Sequence, residues 1–377
     1  MRPNEWIDNW RRFKYELPHQ KEPYFKKNWG HVNHSLCSYQ GKLKPSIAHH
    51  LVEAFVPVGG RVFDPFCGVG TIPFEAALNG RYSLGMDIST MAYYISQAKV
   101  GKSALIEAQL YIARLESFIS NNIVAPEYEA QYGNFGLNKS LKEYFHSDTF
   151  KEVLLARQFF AKEPPKNSSE MIVLASMLHI LHGNRPYALS RKSHPITPYA
   201  PTGDFVYKNV IEKLTEKVHR SFSQDLPLDF IPGKIFLQDS TTEWPEQVSD
   251  LDAIITSPPF FDSTRFYSAN WIRLWFSGWE KQDFISMPAK YIDQIQKKNM
   301  HIYDCIFRQA KDRLKDDGVF VLHLGKSIKC DMGKVLFDLA SPYFDGRELF
   351  SENVAHCNKF GIKDLGTVTE HQYLILW

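Results

Sequence analysis

The stretch 59–89, GGRVFDPFCGVGTIPFEAALNGRYSLGMDIS, reads as a strand, a tight turn, a helix and a second strand. "RVFD" is short, apolar and preceded by a glycine pair, the signature of a buried strand. "GVGTIPFEAALNG" turns into a helix. Pro73 falls in its first turn, where a missing N–H is tolerated, and Gly80 is placed to end it. "YSLGMDI" is the next strand. Two strands joined by one helix in about 30 residues make a βαβ unit, the building block of a parallel sheet.

The same stretch carries a binding pattern. Asp64 stands at a strand end, and Gly68, Gly70 and Thr71 stand at a helix start. Glycine allows a sharp turn and close approach of a ligand, and a helix N-terminus offers free N–H groups. Asp87 ends the second strand, seventeen residues after Gly70, where a carboxylate can accept both hydroxyls of a ribose. The dinucleotide fingerprint needs a third glycine where this chain has Pro73, which counts against NAD or FAD.

Outward from this unit the pattern changes after Lys99. Segments 104–119, 141–161, 168–181 and 206–222 have helical spacing, and a long Pro- and Gly-rich loop, 182–204, lies between the last two. Strand signals return with "GKIFLQDS" (233–240) and "LDAIITSPPF" (251–260). "SANWIRLWFSGW" reads as an aromatic helix, "CIFRQAKDRLKDDG" as a helix ending on Gly318, and "VFVLHLG" and "HQYLILW" as strands. The expected fold is α/β, a doubly wound, mainly parallel sheet with a mostly helical insertion. The catalytic domain is expected over 1–100 and 231–377, and the insertion over 101–230.

"TSPPF", 256–260, lies at the carboxyl end of an apolar strand, where open α/β sheets bind ligands. Pro258 and Pro259 fix φ and carry no N–H. The carbonyls of Ser257 and Pro258 can then face a substrate amino group without a competing donor, and Phe260 offers a flat face to a ring. A planar ring bearing an exocyclic amine describes a nucleobase. Fixed acceptors on its hydrogens favour a nucleophilic geometry.

Together, "DPFCGVGT", "GMDIS" and "TSPPF" resemble the motifs of S-adenosylmethionine-dependent amino-methyltransferases of DNA. The serine form of the proline motif resembles the cytosine-N4 enzymes, whereas adenine-N6 enzymes more often carry Asp or Asn before the prolines. Residues 34–55, "HSLCSYQGKLKPSIAHHLVEAF", resemble the segment that these families place before the glycine loop. The resemblance implies a class I methyltransferase fold with a seven-stranded sheet, and S-adenosylmethionine as cofactor. It implies a cofactor site of Tyr39, Gly41, Lys42, Pro45, Asp64, Pro65, Phe66, Gly68, Gly70, Thr71, Asp87, Ile88, Asp239 and Ser240. Ser257, Pro258, Pro259 and Phe260 become the catalytic loop, acting on a base flipped out of double-stranded DNA. A cognate restriction endonuclease is an implied partner. The glycine loop precedes the proline loop here, unlike in many cytosine-N4 enzymes, and Phe260 stands where Tyr is common. Adenine-N6 methylation, amino-methylation of RNA, and binding of cofactor and DNA without turnover are the alternatives.

Other constellations carry less. Cys67 has no preceding proline, so it reads as a packing residue rather than a cytosine-C5 nucleophile. Zinc needs about four ligands in a closed set, and His31, His34, Cys37, His49 and His50 do not supply one by spacing, so no metal is expected. Arg185, Arg191, Lys192 and His194 in the long loop, with Arg265, are candidate DNA contacts; an interdomain brace is the alternative for the loop. Residues 1–44 hold nine Lys and Arg against four Asp and Glu, in a chain of net charge +2. That surplus suits either a polyanionic partner or a solvated arm. Trp271, Trp275 and Trp279 recur every four residues and read as the buried face of a helix. Five scattered cysteines, with no signal peptide or apolar span, fit a cytoplasmic protein with no membrane attachment.

Overall fold

The structure is a computed structural model that describes residues 5–26, 29–39, 41–183, 187–192, 200–261, 266–354 and 368–377. Seven strands, β1 (Arg61–Asp64), β2 (Tyr82–Asp87), β3 (Lys234–Leu237), β4 (Leu251–Thr256), β5 (Leu314–Ser327), β6 (Arg347–Asn353) and β7 (Val368–Leu376), form one sheet in the order β3-β2-β1-β4-β5-β7-β6. The first five run parallel; β7 is antiparallel to both β5 and β6. The order reverses at the β1/β4 boundary, the place where doubly wound sheets open a crevice for a ligand. This is the seven-stranded class I architecture that the resemblance implied.

Alternation along the central strands sends neighbours to opposite faces. Val62, Ala253, Ile255, Val319, Val321 and Ile375 pack beneath helices α1 (Glu5–Glu16) and α2 (Pro45–Phe55). Phe63, Ile254, Phe320, Leu322 and Leu374 pack on the other face against Trp244 and the helices Tyr303–Arg313 and Met332–Leu339. Both faces are covered, which is why these strands read as continuous apolar runs.

Helix α3 (Thr71–Leu78) crosses from β1 to β2, and α4 (Thr90–Val100) follows β2. Helices α5 (Leu105–Asn121), α6 (Pro126–Gly133), α7 (Ser147–Lys162), α8 (Ser168–Ile180) and α9 (Val210–Ser221) make up the insertion. They share one apolar core with Met91 and Ile95 of α4 and with Trp271, Trp275 and Trp279. Arg157 of α7 clamps the two parts together. Its guanidinium donates to the Trp275 carbonyl at 3.0 Å and to Glu280, and lies over the Tyr132 ring.

Three expectations need correction. The helix read as ending on Gly318 stops at Arg313, because Leu314 already pairs with Leu251; the charged residues Lys315–Asp317 then bulge before Val319 pairs with Ala253. The helix 141–161 begins at Ser147, after a short 3-10 turn over Leu141–Glu143. The basic N-terminal segment is not a solvated arm. Trp10 and Phe13 of α1 are buried against Phe55 and Tyr373, and Lys44 is buried, donating to the carbonyls of His19 and Phe25. No helix among the described residues is long and apolar enough to cross a membrane.

Candidate active site

One cavity opens at the carboxyl ends of β1, β2, β4 and β3. It is lined by Tyr39, Gly41 and Lys42, by the β1 loop from Asp64 to Val69 with Thr71, by Asp87, Ile88, Asp239 and Ser240, and by Ser257 to Phe260. Of the sequence-derived cofactor residues, all but Pro45 and Gly70 touch it. Pro45 is the buried first residue of α2. Gly70 caps α3 with φ 68°, and a Cβ there would stand 2.7 Å from the Ser96 Cβ, so its role is close helix packing.

The glycine loop is held through its own N–H groups, by the backbone of the neighbouring strand and by the carboxylate at its end. The Cys67 N–H donates to the Met86 carbonyl at 3.0 Å, and the Gly68 N–H to Asp87 Oδ2 at 2.9 Å. The other Asp87 oxygen accepts from the Ser89 N–H at 2.8 Å. Asp64 Oδ1 accepts from Thr256 Oγ1 at 2.6 Å and from the Phe66 N–H at 3.1 Å, which ties the end of β1 to the end of β4. Buried Lys99 reaches under the loop to the Val69 carbonyl at 2.6 Å.

Burial pushes the Asp64 carboxyl up to about 7, against the hydrogen bonds from Thr256 and Phe66. Burial likewise pushes Asp87 up to about 6, against the N–H groups of Ser89 and Gly68. Two carboxylates that are costly to ionise while uncompensated are suited to a cationic ligand, which restores the charge balance. Burial raises the Cys67 thiol far above its usual range, so it stays protonated and is no nucleophile.

The proline loop is held differently. The Pro259 carbonyl accepts from Gln296 Nε2 at 2.9 Å, and the Gln296 Oε1 accepts from Tyr303 at 2.9 Å; both side chains are buried. Ser257 Oγ lies 3.0 Å from Nδ1 of His323 on β5. Phe260 is not a free tip. Its ring packs where a Cβ on Gly325 would fall, 2.4 Å away, and leans on His323 and His371 at 5.5 and 5.8 Å between centroids. It nevertheless lines the cavity.

Sequence reasoning missed the far wall: Phe266, Ala269, Asn270, Lys290, Tyr291, Ile292 and Asp293 complete the cavity. They come from short helices, Phe266–Ala269, Met287–Lys290 and Ile292–Ile295, and from the residues beside them; the tryptophan spacing marked the buried face of this segment and not the residues that line the cavity. Of the candidate DNA contacts, Arg191 is spent internally. It donates to the Gly203 and Glu143 carbonyls and stacks on Phe205, which makes it a brace of the loop. Lys192 is exposed. Arg185, His194 and Arg265 lie outside the described residues.

Residues 33–124 match the family model described as UPF0020, an RMKL-like methyltransferase domain, about a quarter of the chain. A 77-residue segment is 32% identical to the type II methyltransferase M.MjaII of Methanocaldococcus jannaschii; it covers 20% of this chain and 14% of that protein's length. Among solved structures, a TehB-like SAM-dependent methyltransferase from Corynebacterium glutamicum aligns over 87% of this chain and 85% of its own, with 10% identity and a TM-score of 0.32. TrmN from Thermus thermophilus aligns over 89% and 49%, with 14% identity and the same score. The rRNA methyltransferase aviRa from Streptomyces viridochromogenes aligns over 92% and 89%, with 12% identity and again 0.32. At that score none of these structures speaks to what this chain does. The matched segment 33–124 spans the 34–55 lead-in, the glycine loop and Asp87. S-adenosylmethionine is the cofactor that this pocket fits.

Proposed function

We propose that the protein transfers a methyl group from S-adenosylmethionine to the exocyclic amino group of a nucleobase, cytosine N4 in double-stranded DNA. The observation that carries the reading is the shared cavity: the paired carboxylates Asp64 and Asp87 and the loop Ser257–Phe260 line one space. Bound S-adenosylmethionine supplies an electrophilic methyl group, so the chain itself needs no covalent intermediate. Asp64 receives the ammonium end and Asp87 the ribose hydroxyls. Tyr39, Gly41 and Lys42 wall the methionine end, with Lys42 fixed by its bond to the His34 carbonyl at 2.6 Å.

The carbonyls of Ser257 and Pro258 accept the hydrogens of the amine and aim its lone pair at the methyl group. Gln296 stops the loop from rotating by holding the next carbonyl. The Phe260 ring, set on Gly325, gives the base a flat wall. The amino-methyltransferase resemblance and the short match to a type II methyltransferase support a DNA substrate. A base must leave its duplex to reach a cavity of this kind, as other base-modifying enzymes require.

Nucleoside mass spectrometry on DNA and RNA from cells expressing the protein tests the reading. N4-methylcytosine in DNA is expected. N6-methyladenine in its place would overturn the target base, and a methylated amino group in RNA alone would overturn the DNA substrate. No methylated amino group in any nucleic acid would overturn the reaction.

A further inference from the structure

Away from the cavity, α2 carries a group of side chains that the chemistry above leaves unused. His49, His50 and Glu53 present ligand atoms that all lie within 4.8 Å of one another. Glu53 follows His49 by four residues and His50 by three, so one helix turn brings its carboxylate up to both rings. His49 Nε2 lies 3.3 Å from Glu53 Oε2, and His50 Nδ1 lies 3.4 Å from the same oxygen. Tetrahedral zinc with ligands at about 2.0–2.2 Å places neighbouring donors about 3.3–3.6 Å apart. The two separations to Glu53 fall in that range, and the third lies within 4.8 Å.

His49 is the telling residue. Its other nitrogen, Nδ1, faces Glu75 Oε2 at 3.1 Å. Glu75 is itself buried, and its other oxygen, Oε1, meets the ring of His34. The ring of His49 therefore meets a carboxylate at each nitrogen. A neutral imidazole has one N–H. With that proton on Nδ1 toward Glu75, the Nε2 lone pair points at the oxygen of Glu53, which can only accept. A cation between Nε2 and Glu53 removes the conflict. The arrangement behind it, a buried carboxylate on the distal nitrogen, is how metal-binding histidines are oriented.

The surroundings suit a small ion. Tyr24 and Trp29 close one side, with ring centroids 4.4 Å from His50 and 5.0 Å from His49. The Glu53 side chain is 49% exposed and keeps a path to solvent. His50 Nε2 is buried without a hydrogen-bond partner, so Nδ1 is the nitrogen this ring has to offer.

We propose that His49 Nε2, His50 Nδ1 and the Glu53 carboxylate bind a divalent cation of the zinc type, with Glu75 orienting His49 from behind and solvent completing the shell. This departs from the sequence expectation of no metal, which asked for a closed set of four; the proposed site uses three ligands on one helix backed by a carboxylate from another.

The test uses the full-length chain, stripped with a chelator and titrated with Zn2+ by calorimetry. One equivalent binding in the micromolar range or tighter, with a rise in Tm, is expected. Glu53→Gln and His50→Ala should each weaken binding at least tenfold, since loss of even an orienting neighbour costs about 10–100-fold. S-adenosylmethionine binding, measured on the same samples, should stay unchanged and reports that each variant is folded. No Zn2+ uptake by the stripped wild-type chain would overturn the proposal. So would equal uptake by wild type and both folded variants. An NMR titration showing His49 protonated on both nitrogens in the presence of Zn2+ would overturn it as well, because the second proton would then do the work assigned to the metal.

Discussion

Two loops face each other across the cavity and are held by opposite means. The glycine loop after β1 is fastened by its own backbone, through Cys67 to Met86 and Gly68 to Asp87, on the adjacent strand. The proline loop after β4 has lost its N–H groups at 258 and 259, and distant side chains hold it: Gln296 on its last proline carbonyl and His323 on its serine. A loop held through its own N–H groups tolerates changes to its own side chains and reacts badly to changes in backbone shape. A loop held by side chains does the reverse. Under the proposed reaction the difference gives the loops separable jobs, cofactor retention to the first and alignment of the amine to the second.

The sharpest break in that division is Ser257→Ala with Pro258→Ala. Restoring an N–H and releasing φ frees the carbonyls to turn away. Loss of a pre-set polar group at a reacting centre costs about 10²–10³ in kcat. The methyl-transfer rate should fall by that order, while S-adenosylmethionine affinity, read by calorimetry, stays within about threefold (about 0.65 kcal/mol at RT ≈ 0.59). A parallel loss of cofactor affinity would show that the two loops do not divide the work.

The next effect belongs to the glycine side. Asp87→Ala removes an acceptor that also holds the Gly68 N–H, and hydrogen bonds to charged groups are worth about 1.5–3 kcal/mol. Cofactor affinity should fall by roughly 10–150-fold, with kcat at saturating cofactor much less affected. The raised carboxyls add a pH dependence. Asp64 and Asp87 keep their protons in the folded, ligand-free chain up to about 7 and about 6, well above their ordinary values. Their contribution to stability is therefore complete at acid pH, below their unfolded values, and is lost as pH rises through 6 and 7. A cationic cofactor needs them ionised. Affinity should climb across the same window and level off above it. Affinity that is flat from pH 5.5 to 8 would count against Asp64 as the ligand of the ammonium group and against Asp87 as an ionised acceptor for the ribose hydroxyls.

Backbone shape is probed by Gly70→Ala. The φ of 68° and the 2.7 Å approach to Ser96 both oppose a side chain. Strain of this kind costs about 1–3 kcal/mol, so the apo protein should melt several degrees lower, without a matching loss in kcat once cofactor is saturating. An unchanged Tm would mean that the loop is less rigidly set than its bonds imply.

The same contrast explains what could be read in the sequence. Strand, turn, helix and acidic strand end follow one another within residues 61–87, so the glycine loop was legible. "TSPPF" was legible as a stiff turn, but its supports sit at 296 and 323, too far along the chain for any local pattern. The far wall from Phe266 to Asp293 is built of short helices, and its one periodic trace, Trp271, Trp275 and Trp279, marks the buried face rather than the cavity lining. The N-terminal segment shows a signal that could have been used. Trp6, Trp10 and Phe13 fall at helical spacing, and they mark a packed helix. Counting the lysines and arginines beside them pointed outward, whereas Lys42 and Lys44 turn inward to carbonyls. Charge in a sequence says how many cations there are and nothing about where they point.

His323 gives the finest test of the division. It is buried on β5, beside the His371 ring at 4.7 Å, and burial, reinforced by His371 and His19, holds it well below its usual range. Burial favours its neutral form, and its hold on the loop is one of geometry. Its bond to Ser257 has the ordinary worth of about 0.5–1.5 kcal/mol. His323→Phe keeps the ring against Phe260 and deletes that bond. The expected result is a loss of about 2–12-fold in kcat, with KM for the cofactor unchanged and no new inflection in the pH–rate profile. His323→Asn, whose amide can again meet the serine hydroxyl, should recover part of the loss. A purely structural role would lower Tm in both variants and leave kcat alike. An alignment role separates the two variants in kcat, and that separation is what a loop held only by its neighbours' side chains requires.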